Sequence, residues 1–245
     1  MQIEILKARV NDLEEACHKS GAPRFLGFLS AEQAVFVQNN KSGKLQYCFF
    51  GGYEGAERVF LSVAEKGTDI KENAYPISSV TFTFRPSDNL THRDVLGSLM
   101  SKGIKREAIG DILVERGRAV VFVTRDILKY VLEQISRIGK TGVTASRGFT
   151  APLPSFENKV QTRTTVASSR LDCVVAALIN LSRGKSNELI EAGLVSVNSV
   201  VCSKNTKTIM SGDKITIRGY GKFTVISLDG TTKKGRTIIN IERYK

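Results

Sequence analysis

SRLDCVVAALINLSRGKSNELIEAGLVSVN, Ser169 to Asn198, is the stretch on which the reading turns. Leu171, Val174, Val175, Leu178 and Leu181 recur at three- and four-residue steps, the apolar stripe of a helix lying on a core. Ser169, with Asp172 three positions on, reads as a capping box that opens this helix and leaves Arg170 able to turn outward. Ser182 reads as the cap of a second helix running through Ala192 and stopped by Gly193. Its early residues, Arg183, Lys185, Ser186 and Asn187, stand where unpaired N–H groups and the helix dipole already favour an anion such as phosphate. Leu194 to Asn198 follows as a strand and a tight turn, and Asn198 also suits the positive φ that such a turn requires.

Downstream, Gly212 to Arg218 reads as a further strand running into Gly219 to Phe223, and upstream Lys159 to Ala167 is an extended, β-branched lead-in. Before it, Ala151-Pro152-Leu153-Pro154-Ser155 is a proline-punctuated linker. The region ahead of the linker is the most regular part of the chain. Val80, Phe82 and Phe84 alternate as in a half-buried strand, and Thr91 with Asp94 caps a helix carrying Val95, Leu96, Leu99 and Met100. Asp111 to Val114 and Ala119 to Val123 read as a hairpin turning at Gly117-Arg118. A long helix with Ile127, Leu128, Val131, Leu132 and Ile135 on one face follows, then a last strand from Thr141 to about Ser146. The order β-α-β-β-α-β is that of the ferredoxin-like unit and of the RNA-recognition motif. Base stacking by Phe82, Phe84 and Phe122 and burial of the same rings both fit, and burial is the preferred reading.

At the start, Ile3, Leu6, Val10 and Leu13 mark a helix ending near Gly21, and Ser30 with Gln33 caps a second helix over Ala31 to Gln38. Leu45 to Phe50 and Arg58 to Val63 read as strands separated by Gly51-Gly52. The expected architecture is α+β in three parts: an α/β module at 1–75, a ferredoxin-like domain at 76–150, and an RNA-docking domain with C-terminal strands at 157–245.

Charge is distributed along the same division. The chain carries a formal +12, with 9 Lys/Arg against 10 Asp/Glu in residues 1–75 but 15 against 7 in residues 157–245. The basic C-terminal end is the expected polyanion face. Cys17, Cys48, Cys173 and Cys202 form no C-x-x-C pair, so neither a zinc knuckle nor a short disulfide scaffold is expected. The opening residues lack a secretory apolar core, and no run approaches the ~18 apolar residues of a membrane span, which predicts a cytoplasmic protein.

Arg170-Leu171-Asp172, Ser182-Arg183, Leu189-Ile190, Gly193, Val195-Ser196-Val197-Asn198 and Gly212 through Phe223 form one ordered pattern. It resembles the RNA-binding domain first described in small-subunit ribosomal protein S-four. The resemblance implies a helix pair on a small twisted sheet, and nominates Arg170, Arg183, Lys185, Asn187 and Asn198 as RNA contacts. Lys185 and Asn187 depart from the Ser and Ala usual there. Lys204, Lys207, Arg218 and Lys222 are added on charge alone. His92 to Gly97, Gly103 to Arg106, Ile109 to Ile112 and Phe50 to Glu57 are together similar to the YlmH family of bacterial proteins encoded near cell-division genes. That likeness implies an RNA-binding protein with work on the ribosome; whether it acts on ribosomal RNA of the large subunit or with stalled peptidyl-tRNA stays open.

Enzyme signatures are weak. Gly139-Lys140-Thr141 and Gly184-Lys185-Ser186 lack the upstream glycine of a phosphate-binding loop, and no G-x-G-x-x-G follows a strand, so no nucleotide cofactor is expected. His18 and His92 have no partner at ligand or catalytic spacing. Arg170-Leu171-Asp172 also resembles the R-L-D of pseudouridine synthases, but here it lies inside the docking helix. The leading expectation is a non-catalytic RNA-binding protein; the alternative is an RNA-modifying enzyme using Asp111 and Arg106 in a middle-domain cleft.

Overall fold

The computed structural model describes residues 3–154, 159–233 and 235–244. Ser155, the end of the expected linker, Glu157, the start of the expected third domain, and both chain ends lie outside the described residues. The chain divides into two compact units, 1–157 and 158–245. No described helix is long and apolar enough to cross a membrane.

The first unit begins with α1 (Ile3–Ser20), β1 (Arg24–Leu29), α2 (Ala31–Asn39), β2 (Leu45–Phe50) and β3 (Val59–Glu65). The Ser30–Gln33 capping box forms in both directions, Ser30 Oγ taking the Gln33 N–H and Gln33 Oε1 the Ser30 N–H. Strand β1 was not foreseen, because Arg24 to Leu29 shows neither alternation nor a flanking turn signal on both sides. Its strands stand in the antiparallel order β1-β3-β2. Leu6, Val10 and Cys17 of α1 cover one face with Leu26, Leu29, Leu61 and Val63.

β4 (Ile77–Thr83), α3 (His92–Ser101), β5 (Ile109–Glu115), β6 (Arg118–Thr124), α4 (Leu128–Gln134), β7 (Arg137–Ile138), β8 (Thr141–Gly142) and β9 (Thr144–Arg147) complete this unit. The expected long helix is only one to two turns, because a 3₁₀ turn at Arg125–Ile127 precedes it and Ile135 leaves helical geometry. Glu115 pairs with Arg118, so the hairpin turns at Arg116-Gly117 rather than Gly117-Arg118, with Gly117 at φ +82°. The sheet order is β5-β6-β4-β9, all antiparallel.

The β5 and β6 strands of this sheet are buried on both faces, and period-two alternation explains how. Val80, Phe82, Val121 and Val123 face α3 and α4, where Val95, Leu99 and Val131 meet them. Leu113, Val120 and Phe122 face the opposite way, against Phe28, Phe60 and Tyr75 of the first module. Phe122 stacks on Tyr53 at 4.9 Å between centroids, and Phe28 meets Phe60 edge-on at 4.7 Å. The modules expected at 1–75 and 76–150 therefore keep separate sheets but share an aromatic layer and form one unit. Gly110 permits the close approach: a Cβ there would lie 2.6 Å from the Phe28 ring and 3.0 Å from Phe122 Cβ.

The second unit comprises β10 (Lys159–Val166), α5 (Leu171–Ile179), α6 (Arg183–Glu191), β11 (Val195–Val197), β12 (Val200–Val201), β13 (Lys214–Ile217), β14 (Gly221–Ser227) and β15 (Thr237–Tyr244). They form one sheet in the order β10-β15-β14-β13-β11-β12. Ile215, Ile217, Phe223, Val225, Ile239 and Ile241 meet Leu171, Val174, Val175 and Ile190 in a single core.

Phe122 lies at the centre of the shared aromatic layer, 1% exposed. Phe122→Ala is expected to destabilise the first unit by about 3–5 kcal/mol, read as a lower denaturation midpoint in urea; a loss below about 1 kcal/mol would contradict a shared layer.

Candidate nucleic-acid interface

The first turn of α5 departs from the expected capping box. Arg170, not Ser169, is the cap residue, and its side chain makes no cap hydrogen bond. The first N–H groups of the helix are taken instead by the following loop: Leu171 N–H donates to Lys207 O at 2.8 Å and Asp172 N–H to Asn205 O at 3.1 Å. Ser169 O accepts from Ile209 N–H at 2.8 Å, and Arg170 bridges Thr208.

Freed from capping, Asp172 is 1% exposed and organises the helix pair. Arg170 donates to it through Nε at 3.2 Å and Nη2 at 3.0 Å, and Arg183 through Nε at 2.8 Å. Cys173 N–H adds a further bond at 2.9 Å. Buried Ser186 donates its hydroxyl to Asp172 O at 2.8 Å, fastening α6 to α5 from the other side. Burial by itself would raise the Asp172 pKa, but the arginine and N–H donors outweigh it and hold the carboxyl at about 2.

Arg170 and Arg183 are thus not simple solvent-facing cations. Each is committed to a carboxylate, yet 40% and 57% of their side chains stay exposed, and two positive charges against one negative leave the group cationic. Lys204 and Lys207 belong to the loop whose carbonyls cap α5, so the fold brings their backbone to the start of that helix. Ser182 caps α6 through the Lys185 N–H at 3.3 Å, which puts exposed Lys185 in the first turn next to Arg183. Asn187 follows on α6, its Oδ1 buried without a partner.

Three nominated residues lie apart from this cluster. Asn198 and Ser199, at φ +50° and +67°, form the two-residue turn between β11 and β12, a conformation that asparagine tolerates. The Asn198 amide donates to Asp213 Oδ1 at 2.7 Å and accepts from Lys214 N–H at 2.9 Å, so its side chain is occupied in holding that turn. Lys222 precedes inward-facing Phe223 on β14, which sets it on the sheet face away from the helices. Exposed Arg218 is at the end of β13, tied by its N–H to Leu194 O at 2.9 Å where α6 leads into β11.

In the first unit, Phe82, Phe84 and Phe122 are 0%, 7% and 1% exposed, so none can stack on a base. Asp111 and Arg106, the pair behind the enzyme alternative, are both engaged. A register shift between Ile109 and Ile112 aims Asp111 at the 53–58 loop, where it accepts from Tyr53 Oη at 2.8 Å, Glu57 N–H at 2.7 Å and Arg58 N–H at 3.0 Å. Arg106 donates to Ile109 O at 2.6 Å. Burial, then the Arg106 charge, lowers Arg58 to about 10.

A family model described as a putative RNA-binding domain in YlmH matches residues 77–148. The chain is 31% identical over 219 residues to the ribosome-associated protein quality control protein P2 of Bacillus subtilis, across 87% of this chain and 84% of that protein. Among solved structures it resembles the cell division protein ylmH from Streptococcus pneumoniae, with a TM-score of 0.52 and 21% identity over 61% of this chain and 93% of the other, a likeness of fold. The sequence nominated RNA-contact residues only at the basic C-terminal end; in the middle segment it showed the order of the RNA-recognition motif, with burial preferred for Phe82, Phe84 and Phe122, and a +5 charge, 12 Lys/Arg against 7 Asp/Glu over 76–156.

The Asp172 carboxyl is depressed on folding, so its stabilisation is full above its unfolded pKa near 4 and disappears as pH falls through about 2. Between pH 5 and 2 the second unit should lose about 2 kcal/mol through this group, and Asp172→Asn should remove that part of the acid sensitivity. Equal acid sensitivity of the two proteins in urea unfolding would contradict the assignment.

Proposed function

The chain belongs to the YlmH family, and on that footing we propose that it is a non-catalytic, cytoplasmic RNA-binding protein that docks on structured RNA of the ribosome, ribosomal RNA or a bound tRNA. We assign the second unit to the S-four type of RNA-binding domain, a reading supported by two short helices lying on one face of an antiparallel sheet. The middle sheet we assign as ferredoxin-like, which its strand order and β-α-β-β-α-β succession support.

One observation carries the functional reading: Arg170, Arg183, Lys204, Lys207 and Lys185 gather around the starts of α5 and α6, in the most basic third of the chain. Phosphates supply most of the affinity for such a surface, because each neutralised charge releases counterions, while RNA shape supplies selection. Arg170 and Arg183 would serve twice. Asp172 holds their planes still, and the donors turned to solvent then meet phosphate without first having to be ordered. Against the enzyme reading, Asp111 is saturated by structural donors and Arg106 is bound to backbone carbonyls.

Reversing the arginines would strand a buried carboxylate and confuse folding with binding, so the lysines make the cleaner test. Lys185→Glu combined with Lys204→Glu should weaken binding to purified large ribosomal subunits by about tenfold or more at ~0.1 M salt, and flatten the salt dependence by roughly 0.7–0.9 log units for each phosphate left without its lysine. Unaltered affinity and slope would overturn the helix pair as the docking surface.

A further inference from the structure

A nucleic-acid-binding sheet of the RNA-recognition type offers base-stacking aromatics on the face opposite its helices. Here the β5–β6 part of that face is sealed. Leu113, Val120 and Phe122 lie under Phe28, Phe60 and Tyr75, and none of the six is more than 4% exposed. With those rings covered, one group of residues on the helix side offers RNA a different surface.

The β7–β8 hairpin is anchored by Ile138, fully buried against α3 and α4, and by Gly139 N–H donating to Ser98 Oγ at 3.2 Å. One turn further along α3, Lys102 O accepts from Tyr130 Oη of α4 at 3.0 Å. These two bonds bring the hairpin tip and α4 to neighbouring positions on the same helix, separated by a single turn. Arg137 lies over the tip, with Nη2 3.5 Å from Lys140 O, and Arg137, Lys140 and Lys102 are all exposed. Beside them Tyr130, whose hydroxyl reaches Lys102 O, stands 43% exposed, a large aromatic surface that the fold leaves uncovered. The nearby Glu133 on α4 faces Lys129 at 3.8 Å, which offsets its charge.

Gly97 is the second, independent sign. It occupies the middle of α3, where glycine is the least favourable residue short of proline. Its backbone is helical, and a Cβ there would meet nothing within 4 Å, so internal packing does not require it. A glycine on an exposed helix face, with no internal reason for it, leaves room for close approach of an outside backbone.

We infer that α3, α4 and the β7–β8 hairpin form a second RNA surface, with Lys102, Arg137 and Lys140 on phosphates and Tyr130 against sugar or an unstacked base. This rests on the RNA-binding reading above, and adds to it a place on the first unit, separate from the C-terminal helix pair. Cations set beside an exposed aromatic suit a single-stranded or looped RNA segment better than a regular duplex.

The test uses the full chain and ribosomal RNA freed of protein, with filter binding at two salt concentrations. The triple variant Lys102→Glu, Arg137→Glu, Lys140→Glu should bind at least tenfold more weakly than the parent. Gly97→Leu should keep or raise the melting temperature, because leucine is the better helix former and its Cβ meets nothing within 4 Å, and yet bind more weakly; this variant decides the matter if the triple variant does not fold. Parental affinity in a folded triple variant, or in Gly97→Leu, overturns this surface and leaves the C-terminal reading intact. Failure of the parent chain itself to bind the RNA overturns the reading on which both surfaces rest.

Discussion

Asp172 is a carboxylate withdrawn from water, and such a group persists only where enough donors converge on it. Two arginines and one backbone N–H satisfy it, and each comes from a different part of the second unit: the lead-in to α5, the start of α6 and the first turn of α5 itself. The loop at 203–208 closes against the same turn through its carbonyls. A single buried charge thus sets how the helices meet, where the basic loop lies, and how far the two guanidinium planes can move.

The first unit is governed by a different use of surface. Its central sheet is covered on one side by α3 and α4 and on the other by an aromatic layer shared with the first module. Covering the second face joins two small modules into one unit. It also covers the β5–β6 part of the surface on which this topology most often handles nucleic acid, and leaves the helical side and its hairpin facing solvent. Gly110 and the shifted register of β5 are the local adjustments that let the two sheets approach so closely and turn Asp111 toward the 53–58 loop.

Both units therefore present cations from rigid supports rather than from long free loops. In the second unit the support is ionic, Asp172 fixing its arginines; in the first it is apolar, Ile138 pinning the hairpin that carries Arg137 and Lys140. A polyanion meeting such surfaces loses little affinity to ordering side chains, which suits a partner recognised by shape.

Local pattern made much of this legible. Alternation in Val80, Phe82 and Phe84, the Ser30–Gln33 and Thr91–Asp94 boxes, the apolar stripe of α5 and the charge gradient along the chain are properties of neighbouring residues, and neighbouring residues are what a sequence displays. Tertiary contact alone decided the rest. Ser169 and Asp172 have the spacing of a cap, but Arg183, eleven positions beyond Asp172, and the loop carbonyls at 205 and 207 compete for the same groups and win. Lys222 and Lys204 look equivalent as charges, and only the pleat of β14 against the core sends one to the far side of the sheet. The buried second face of the middle sheet, too, depends on residues some sixty to ninety positions apart in the chain, Phe28 and Phe60 against Phe122. Short-range periodicity records which side of an element is apolar; it carries no record of what comes to cover that side.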